Sequence, residues 1–252
     1  MTLTITDETL SFIFFYSVVQ DVLYFYIRQS KFVNSRLFID LELRYNPYFK
    51  KIKELLSSIG HIYYVEMFFQ SSLYLKNEIR NSWNYDEKVG GGIIMAIFPH
   101  FLDLLLYWFN PQCHSIRSKS LNLHNEHGSS EFCTVSLYMK NNITVSLTAT
   151  AILEGNKELN IIIIGTQGKI EFNLESLLLL NGENIPVCLP DYYLTEDSIF
   201  RSSFACYAHE LVNAIKEQRS PKNYTTATQI HTIHKLLEDI KLSSQYKKEI
   251  FC

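Results

Sequence analysis

Residues 131–151 read EFCTVSLYMKNNITVSLTATA, and apolar and polar side chains alternate along most of this stretch. A period of two is typical of a strand, because successive side chains of a strand point to opposite faces of its sheet. Asn141 and Asn142 interrupt the pattern and predict a turn. The second strand has an apolar set (Val145, Leu147, Ala149 and Ala151) and a polar set (Thr144, Ser146, Thr148 and Thr150). The stretch therefore predicts an antiparallel sheet with one buried and one more polar face.

The same period extends on both sides of this stretch, from Cys113 to Leu180. Two apolar segments flank Gly165–Gly168, which indicates a hairpin turn. The segments rich in aromatic and β-branched residues predict further strands. The predicted strands outside residues 131–151 are Arg36–Leu43, Ile62–Gln70, Leu159–Ile164 and Lys169–Phe172.

Four segments have the spacing of helices. They are Tyr48–Ser57, which Gly60 ends, Ile93–Phe109, Phe200–Glu217 and Thr225–Ser244. Pro99 lies inside the second of these segments and is expected to kink it or to move its start to about Phe98. The fold class predicted from these elements is α+β, an open-faced and mainly antiparallel sheet with helices packed on one face.

Composition limits the class of protein. A chain of 252 residues forms one large domain or two small ones, and a net charge of -3 gives no reason to expect a nucleic acid partner. The five cysteines are widely spaced and include no C-x-x-C pair. This pattern favours a reducing compartment over a disulfide-stapled secreted fold, and we expect a cytoplasmic protein.

Residues 1–36 are predicted to be an apolar N-terminal helical segment, a truncated remnant. Residues 10–27 are strongly apolar but contain Gln20 and Asp21. An ionised Asp at the centre of a bilayer costs about 3 kcal/mol, so membrane contact is not favoured. A buried or partner-covered helix, a membrane anchor flanked by Arg28 and Lys31, and the translation product of an incomplete gene remain as alternatives.

Residues 83–103 read WNYDEKVGGGIIMAIFPHFLD. This segment resembles the substrate-side motif of the glucose-fructose oxidoreductase, inositol dehydrogenase and MocA (Gfo/Idh/MocA) family. Further segments resemble the same family in the same order: residues 44–47, residues 164–170 and residues 240–244. By this resemblance, residues 37–252 are a Gfo/Idh/MocA-like C-terminal domain, most similar to the glucose-fructose oxidoreductase domain-containing proteins.

The resemblance also implies candidate catalytic residues. His100 and Asp103 match the last two positions of the family pattern G-G-G-x-x-x-Asp-x-x-x-His-x-x-Asp, but Ala96 stands at the first Asp. In the family, the His exchanges a proton with the substrate hydroxyl while hydride passes to a nicotinamide. His100 and Asp103 are therefore candidate remnants of a catalytic site. A partly buried, hydrogen-bonded His100 paired with Asp103 is the structural alternative.

The candidate substrate-binding residues are Trp83, Tyr85, Gly91, Gly92 and Arg44. Trp83 and Tyr85 are suited either to stacking on a sugar-like ligand or to plain packing. We predict no metal site, because the pairs His231/His234 and His124/His127 lack evident further ligands.

The family uses NAD(P), but a dinucleotide site needs a glycine-rich turn between a strand and a helix. The first glycine of this sequence is Gly60, so we predict no cofactor for this chain alone. The leading hypothesis is a degenerate, non-catalytic family member, a pseudoenzyme that acts by binding or as a homo-oligomer assembled through its sheet face. The alternative is the C-terminal substrate domain of an NAD(P)-dependent oxidoreductase acting on a sugar or polyol, from an incomplete gene model or a split subunit.

Overall fold

The computed structural model describes residues 2–3, 12–13, 41–72, 86, 91–123, 129–152, 154–155, 157–174, 177–193 and 199–252. Strand β1 (Thr2–Leu3) pairs antiparallel with strand β2 (Phe12–Ile13). The rest of residues 1–36, including most of the apolar segment 10–27, lies outside the described ranges. Across those ranges, no helix combines the length and the apolar character needed to cross a membrane.

A nine-stranded sheet forms the centre of the fold, with the order β10-β9-β8-β7-β3-β6-β5-β4-β11. Strands β3 and β6 pair in parallel, and the other neighbours pair antiparallel. The prediction of a mainly antiparallel sheet is therefore confirmed. The strands are β3 (Ile62–Gln70), β4 (Cys113–Leu121), β5 (Phe132–Met139), β6 (Thr144–Thr150), β7 (Glu158–Gly165), β8 (Gly168–Asn173), β9 (Leu177–Leu180), β10 (Glu183–Asn184) and β11 (Ile250–Phe251).

The alternation read from residues 131–151 separates the two faces of this sheet as predicted. The apolar set of β6 is buried, as are alternate residues of β3, β5 and β7. The opposite face of the same strands is only half-buried. In the described ranges, four α-helices accompany the sheet: α1 (Pro47–Leu55), α2 (Ile93–Phe109), α3 (Ile199–Lys216) and α4 (Ala227–Tyr246).

Local sequence explains where two of these helices begin. The Asn46 side chain accepts a hydrogen bond from the Tyr48 backbone N–H at 3.0 Å, and Pro47 occupies the first turn of α1. Thr226 and Gln229 form a capping box at the start of α4. Helix α2 packs on β5 and β6, and α4 packs on β4 and on α2. The predicted layer of helices on one sheet face is thus confirmed.

One local prediction is wrong, and one of the two alternatives given for Pro99 is excluded. Glu42–Tyr45 forms a 3-10 helix where the sequence predicted the end of a strand. This segment is buried against α2 and α3, away from any sheet edge, so it has no strand to pair with. Pro99 does not move the start of α2, which begins at Ile93. Burial of most of this helix outweighs the cost of about 3 kcal/mol for an internal proline.

Two of the widely spaced cysteines are bonded: Cys113 and Cys252 form a disulfide across a sequence separation of 139 residues. This bond joins the start of β4 to the residue that follows β11. Cys133 and Cys206 are free and buried, and Cys188 is free and exposed.

Candidate functional site

A buried ion pair joins the Glu42–Tyr45 turn to the middle of α2. Arg44 is 2% exposed and Asp103 is 0% exposed. The Arg44 Nε atom donates to Asp103 Oδ2 at 2.8 Å, and the Arg44 Nη2 atom contacts Asp103 Oδ1. Two parallel contacts of this kind are the strongest geometry available to a guanidinium and a carboxylate.

The loop before α4 completes this cluster. Thr225 Oγ1 donates to Asp103 Oδ1 at 2.9 Å, and Arg44 Nη1 donates to the Asn223 carbonyl at 3.1 Å. Burial raises the pKa of Asp103, while Arg44, Thr225 and His100 act in the opposite direction. Both carboxylate oxygens of Asp103 are therefore engaged by the protein itself.

His100 lies one turn before Asp103 and faces a different carboxylate. Its Nδ1 atom is 3.3 Å from Glu42 Oε2, and the two side chains are 15% and 6% exposed. The contact brings opposite charges together when the imidazole is protonated, but the two atoms are not in line for a hydrogen bond. The Phe200 ring packs against the His100 ring with centroids 5.7 Å apart. Glu42 is thus a second carboxylate near His100, in addition to Asp103, whose pKa His100 lowers.

Ala96 and His100 are half-buried, in contrast to most residues of α2. They lie four residues apart and therefore share one stripe of the helix. Ala96 occupies the position of the first Asp in the family pattern, so the helix presents a methyl group there and no carboxylate. A carboxylate does contact His100, but it comes from Glu42 in the Glu42–Tyr45 turn.

The glycines before α2 set the entry of the chain into this helix. Gly92 has φ +97° and ψ 159°, a conformation that side-chain-bearing residues rarely adopt. A Cβ atom at Gly92 would lie 3.0 Å from the Ser130 hydroxyl, and the Ile93 backbone N–H donates to the Ser130 carbonyl at 2.7 Å. Gly91 donates its backbone N–H to the Asp86 carbonyl at 2.8 Å. The glycines thus allow the start of α2 to dock on the backbone before β5.

Tyr107 extends the less buried stripe of α2 toward α1. The Lys53 Nζ atom lies 3.8 Å from the centre of the Tyr107 ring, and the Arg44 Cζ atom lies 5.4 Å from it. Burial lowers the pKa of Lys53, and the nearby Arg44 charge lowers it further. The aromatic ring offsets part of this repulsion, since its face attracts cations.

The structure brings together three of the candidate residues, Arg44, His100 and Asp103. Gly91 and Gly92 lie at the start of α2, about two to three turns before His100 and Asp103. Trp83 and Tyr85 lie outside the described residues. Sequence reasoning missed Glu42, which was assigned to a strand, and Thr225, which no local pattern ties to Asp103. No group of three or more metal-ligating side chains occurs in the described part of the chain.

Part of the chain is similar to the C-terminal domain of the Gfo/Idh/MocA family. Residues 49–171 match the family model described as the GFO/IDH/MocA C-terminal domain. Among curated protein sequences, none matches this chain.

Solved structures share the fold at low sequence identity. An oxidoreductase from Thermotoga maritima is 17% identical with a TM-score of 0.76, and the alignment covers 96% of this chain and 71% of that one. GenD2 from gentamicin A biosynthesis, solved in complex with NAD, is 13% identical with a TM-score of 0.77, at 97% and 72% coverage. A super-repressor mutant of Gal80p from Saccharomyces cerevisiae is 18% identical with a TM-score of 0.72, at 95% and 71% coverage.

Proposed function

We propose that this chain is a degenerate member of the family that has lost oxidoreductase activity and acts by binding or self-association. One observation carries the proposal: α2 presents a methyl group at Ala96, and its other candidate carboxylate, Asp103, is engaged by Arg44 and Thr225. A carboxylate four residues before His100 would share its helical stripe and could orient a substrate hydroxyl against the imidazole. The methyl group of Ala96 cannot accept a hydrogen bond.

The first test is cofactor binding and turnover. We expect no saturable binding of NADH or NADPH in calorimetric titrations, because no glycine precedes Gly60 to form the phosphate-binding turn. We also expect no oxidation of sugars or polyols with NAD(P). A micromolar dissociation constant for either nucleotide, or turnover that disappears in His100→Ala, would refute the proposal. Ala96→Asp is the matched variant, since it restores the one carboxylate that the family pattern has and this chain lacks.

The second part of the proposal is self-association through the half-buried face of the sheet. Helices cover the opposite face, so this one is the face available to a second copy of the chain. It combines apolar and polar side chains from neighbouring strands in register, including Phe68 beside Thr148 and Ile162 beside Glu66. An interface between copies can be about as polar as the rest of a protein surface, so this mixed face is compatible with one.

Charge placed on this face tests the interface. Thr148→Lys puts a cation between β3 and β5 and should shift the protein from dimer to monomer in light scattering. Ser146→Glu should act in the same direction, but it also adds repulsion within the sheet, because Glu66 is the register neighbour of Ser146. Gln245→Lys, at an exposed position of α4, is the control with the same added charge. A monomer before and after Thr148→Lys would refute the interface.

The Glu42–His100 contact favours a second candidate, the C-terminal substrate domain of an NAD(P)-dependent oxidoreductase acting on a sugar or polyol. Here a nucleotide-binding partner supplies the cofactor, and Glu42 provides the charge that steadies His100. This candidate predicts saturable polyol binding that His100→Ala abolishes and Glu42→Gln weakens. Absence of polyol binding in the native chain would exclude it.

A further inference from the structure

The outer edge of β4 is covered in two different ways along its length. In its second half, the backbone N–H groups of Ser118 and Ser120 donate to the hydroxyls of Ser243 and Ser244 on α4, at 3.0 and 2.8 Å. In its first half, β11 pairs antiparallel with β4. Free strand edges invite pairing with other chains, so this cover protects the sheet.

The cover over the first half of β4 is short. Only Ile250 and Phe251 pair with Ile116 and Ser115, and Phe251 is 70% exposed. The Cys252 backbone N–H donates to the His114 carbonyl at 3.0 Å. A strand of two residues buries little apolar surface. The segment is also held by three further contacts: Ser115 Oγ donates to Glu249 Oε1, Ser243 Oγ donates to the Lys248 carbonyl at 2.7 Å, and the Phe251 ring packs on His114.

A disulfide fastens this short strand. Cys252 follows β11, is exposed, and is bonded to Cys113 at the start of β4. The bond closes a loop between residues 139 positions apart, which strongly restricts the unfolded chain. A disulfide that is open to solvent is also accessible to thiols, in contrast to the buried Cys133 and Cys206.

We propose that residues 248–252 form a redox-operated clasp. The Cys113–Cys252 disulfide holds β11 on the edge of β4, and reduction of this bond releases residues 248–252 from that edge. The reductant is a dithiol. Its thiolate attacks the sulfur of the exposed residue Cys252, and the Cys113 thiolate leaves and takes up a proton. The second thiol of the reductant then attacks the mixed disulfide and releases Cys252. Two electrons and two protons pass to the protein, and the dithiol becomes a disulfide.

The widely spaced cysteines and the exposed bond are consistent with this role. In reducing compartments, disulfides are rare and those that form are mostly transient or redox-sensing. Release uncovers the edge from Cys113 to Ile116, where the Ile116 carbonyl keeps its contact with Ser243 Oγ at 3.4 Å. The serines of α4 continue to hold Ser118 and Ser120. The device therefore opens one end of the sheet while the helical layer stays in place.

Thiol counting tests the bond. The protein is prepared without reductant or added disulfide, alkylated in denaturant, and analysed by mass spectrometry. We expect three alkylated cysteines, Cys133, Cys188 and Cys206, and five after dithiothreitol treatment. In unreduced digests, the peptide containing Cys252 should remain linked to the peptide containing Cys113. Five alkylated cysteines without reductant would overturn the proposal.

Hydrogen exchange tests the release. In the folded protein, dithiothreitol should speed amide exchange severalfold in residues 248–252 and 114–116 and leave residues 118–121 unchanged. Cys252→Ser should show the fast exchange with or without reductant. Cys188→Ser, at the exposed free cysteine, should behave like the native chain. A second outcome would also overturn the proposal. If three cysteines are alkylated but reduction does not change amide exchange, the disulfide exists but does not hold residues 248–252 on the sheet edge.

Discussion

Replacing Asp103 by Ala tests whether the Arg44–Asp103 pair holds the fold together. The change leaves the guanidinium of Arg44, which is 2% exposed, without its carboxylate, and it removes the acceptor of the Thr225 hydroxyl. Breaking a buried pair by removing one partner costs about 3–5 kcal/mol, whereas exposed pairs contribute at most about 1 kcal/mol. Against a total stability of about 5–15 kcal/mol, Asp103→Ala should remove a large fraction of the free energy of unfolding.

The assay is urea unfolding followed by circular dichroism, with Arg44→Met, Asp103→Leu and the double variant completing a cycle. Each single change should be strongly destabilising. The double variant should recover most of the loss, since an apolar pair of similar volume commonly replaces a buried ion pair at little cost. A loss below about 1 kcal/mol in Asp103→Ala would refute the burial argument. Losses that simply add in the double variant would refute the pairing.

Three further predictions concern single positions. His100→Ala should lower the free energy of unfolding by about 1–2 kcal/mol, because packing on Phe200 is lost. A larger loss would contradict the partial exposure of the His100 side chain. Gly92→Ala should cost about 1–3 kcal/mol, because its backbone conformation suits only glycine and Ser130 lies close; an unchanged melting temperature would argue against that conformation. Burial raises the pKa of Asp239 in the folded state above its usual value. The unfolded chain therefore loses its Asp239 proton at a lower pH than the folded chain does, and the free energy of unfolding falls as the pH rises between these two pKa values. Asp239→Asn should therefore raise the melting temperature at pH 7 more than at pH 4.5, and an equal shift at both would contradict the raised pKa.

The amino-acid sequence alone determined the main elements of the fold. Alternation along residues 131–151 predicted two strands and the separation of their faces, because side-chain direction in a strand depends on neighbouring residues only. The bounds of Ile93–Phe109 were likewise predictable from apolar spacing and the preceding glycines. Strand alternation and helical spacing are local properties of the sequence, and in this protein the tertiary contacts agree with them.

Tertiary structure alone decided which residues meet. Arg44 reaches Asp103 across 59 positions, Thr225 reaches it across 122, and Cys113 joins Cys252 across 139. No local pattern encodes such partners, because they depend on how α2, the 3-10 turn and the loop before α4 are packed together. The same packing explains why Glu42 lies in a 3-10 turn and not at the end of a strand, since this buried segment has no sheet edge to pair with. The turn brings the Glu42 carboxylate close to His100.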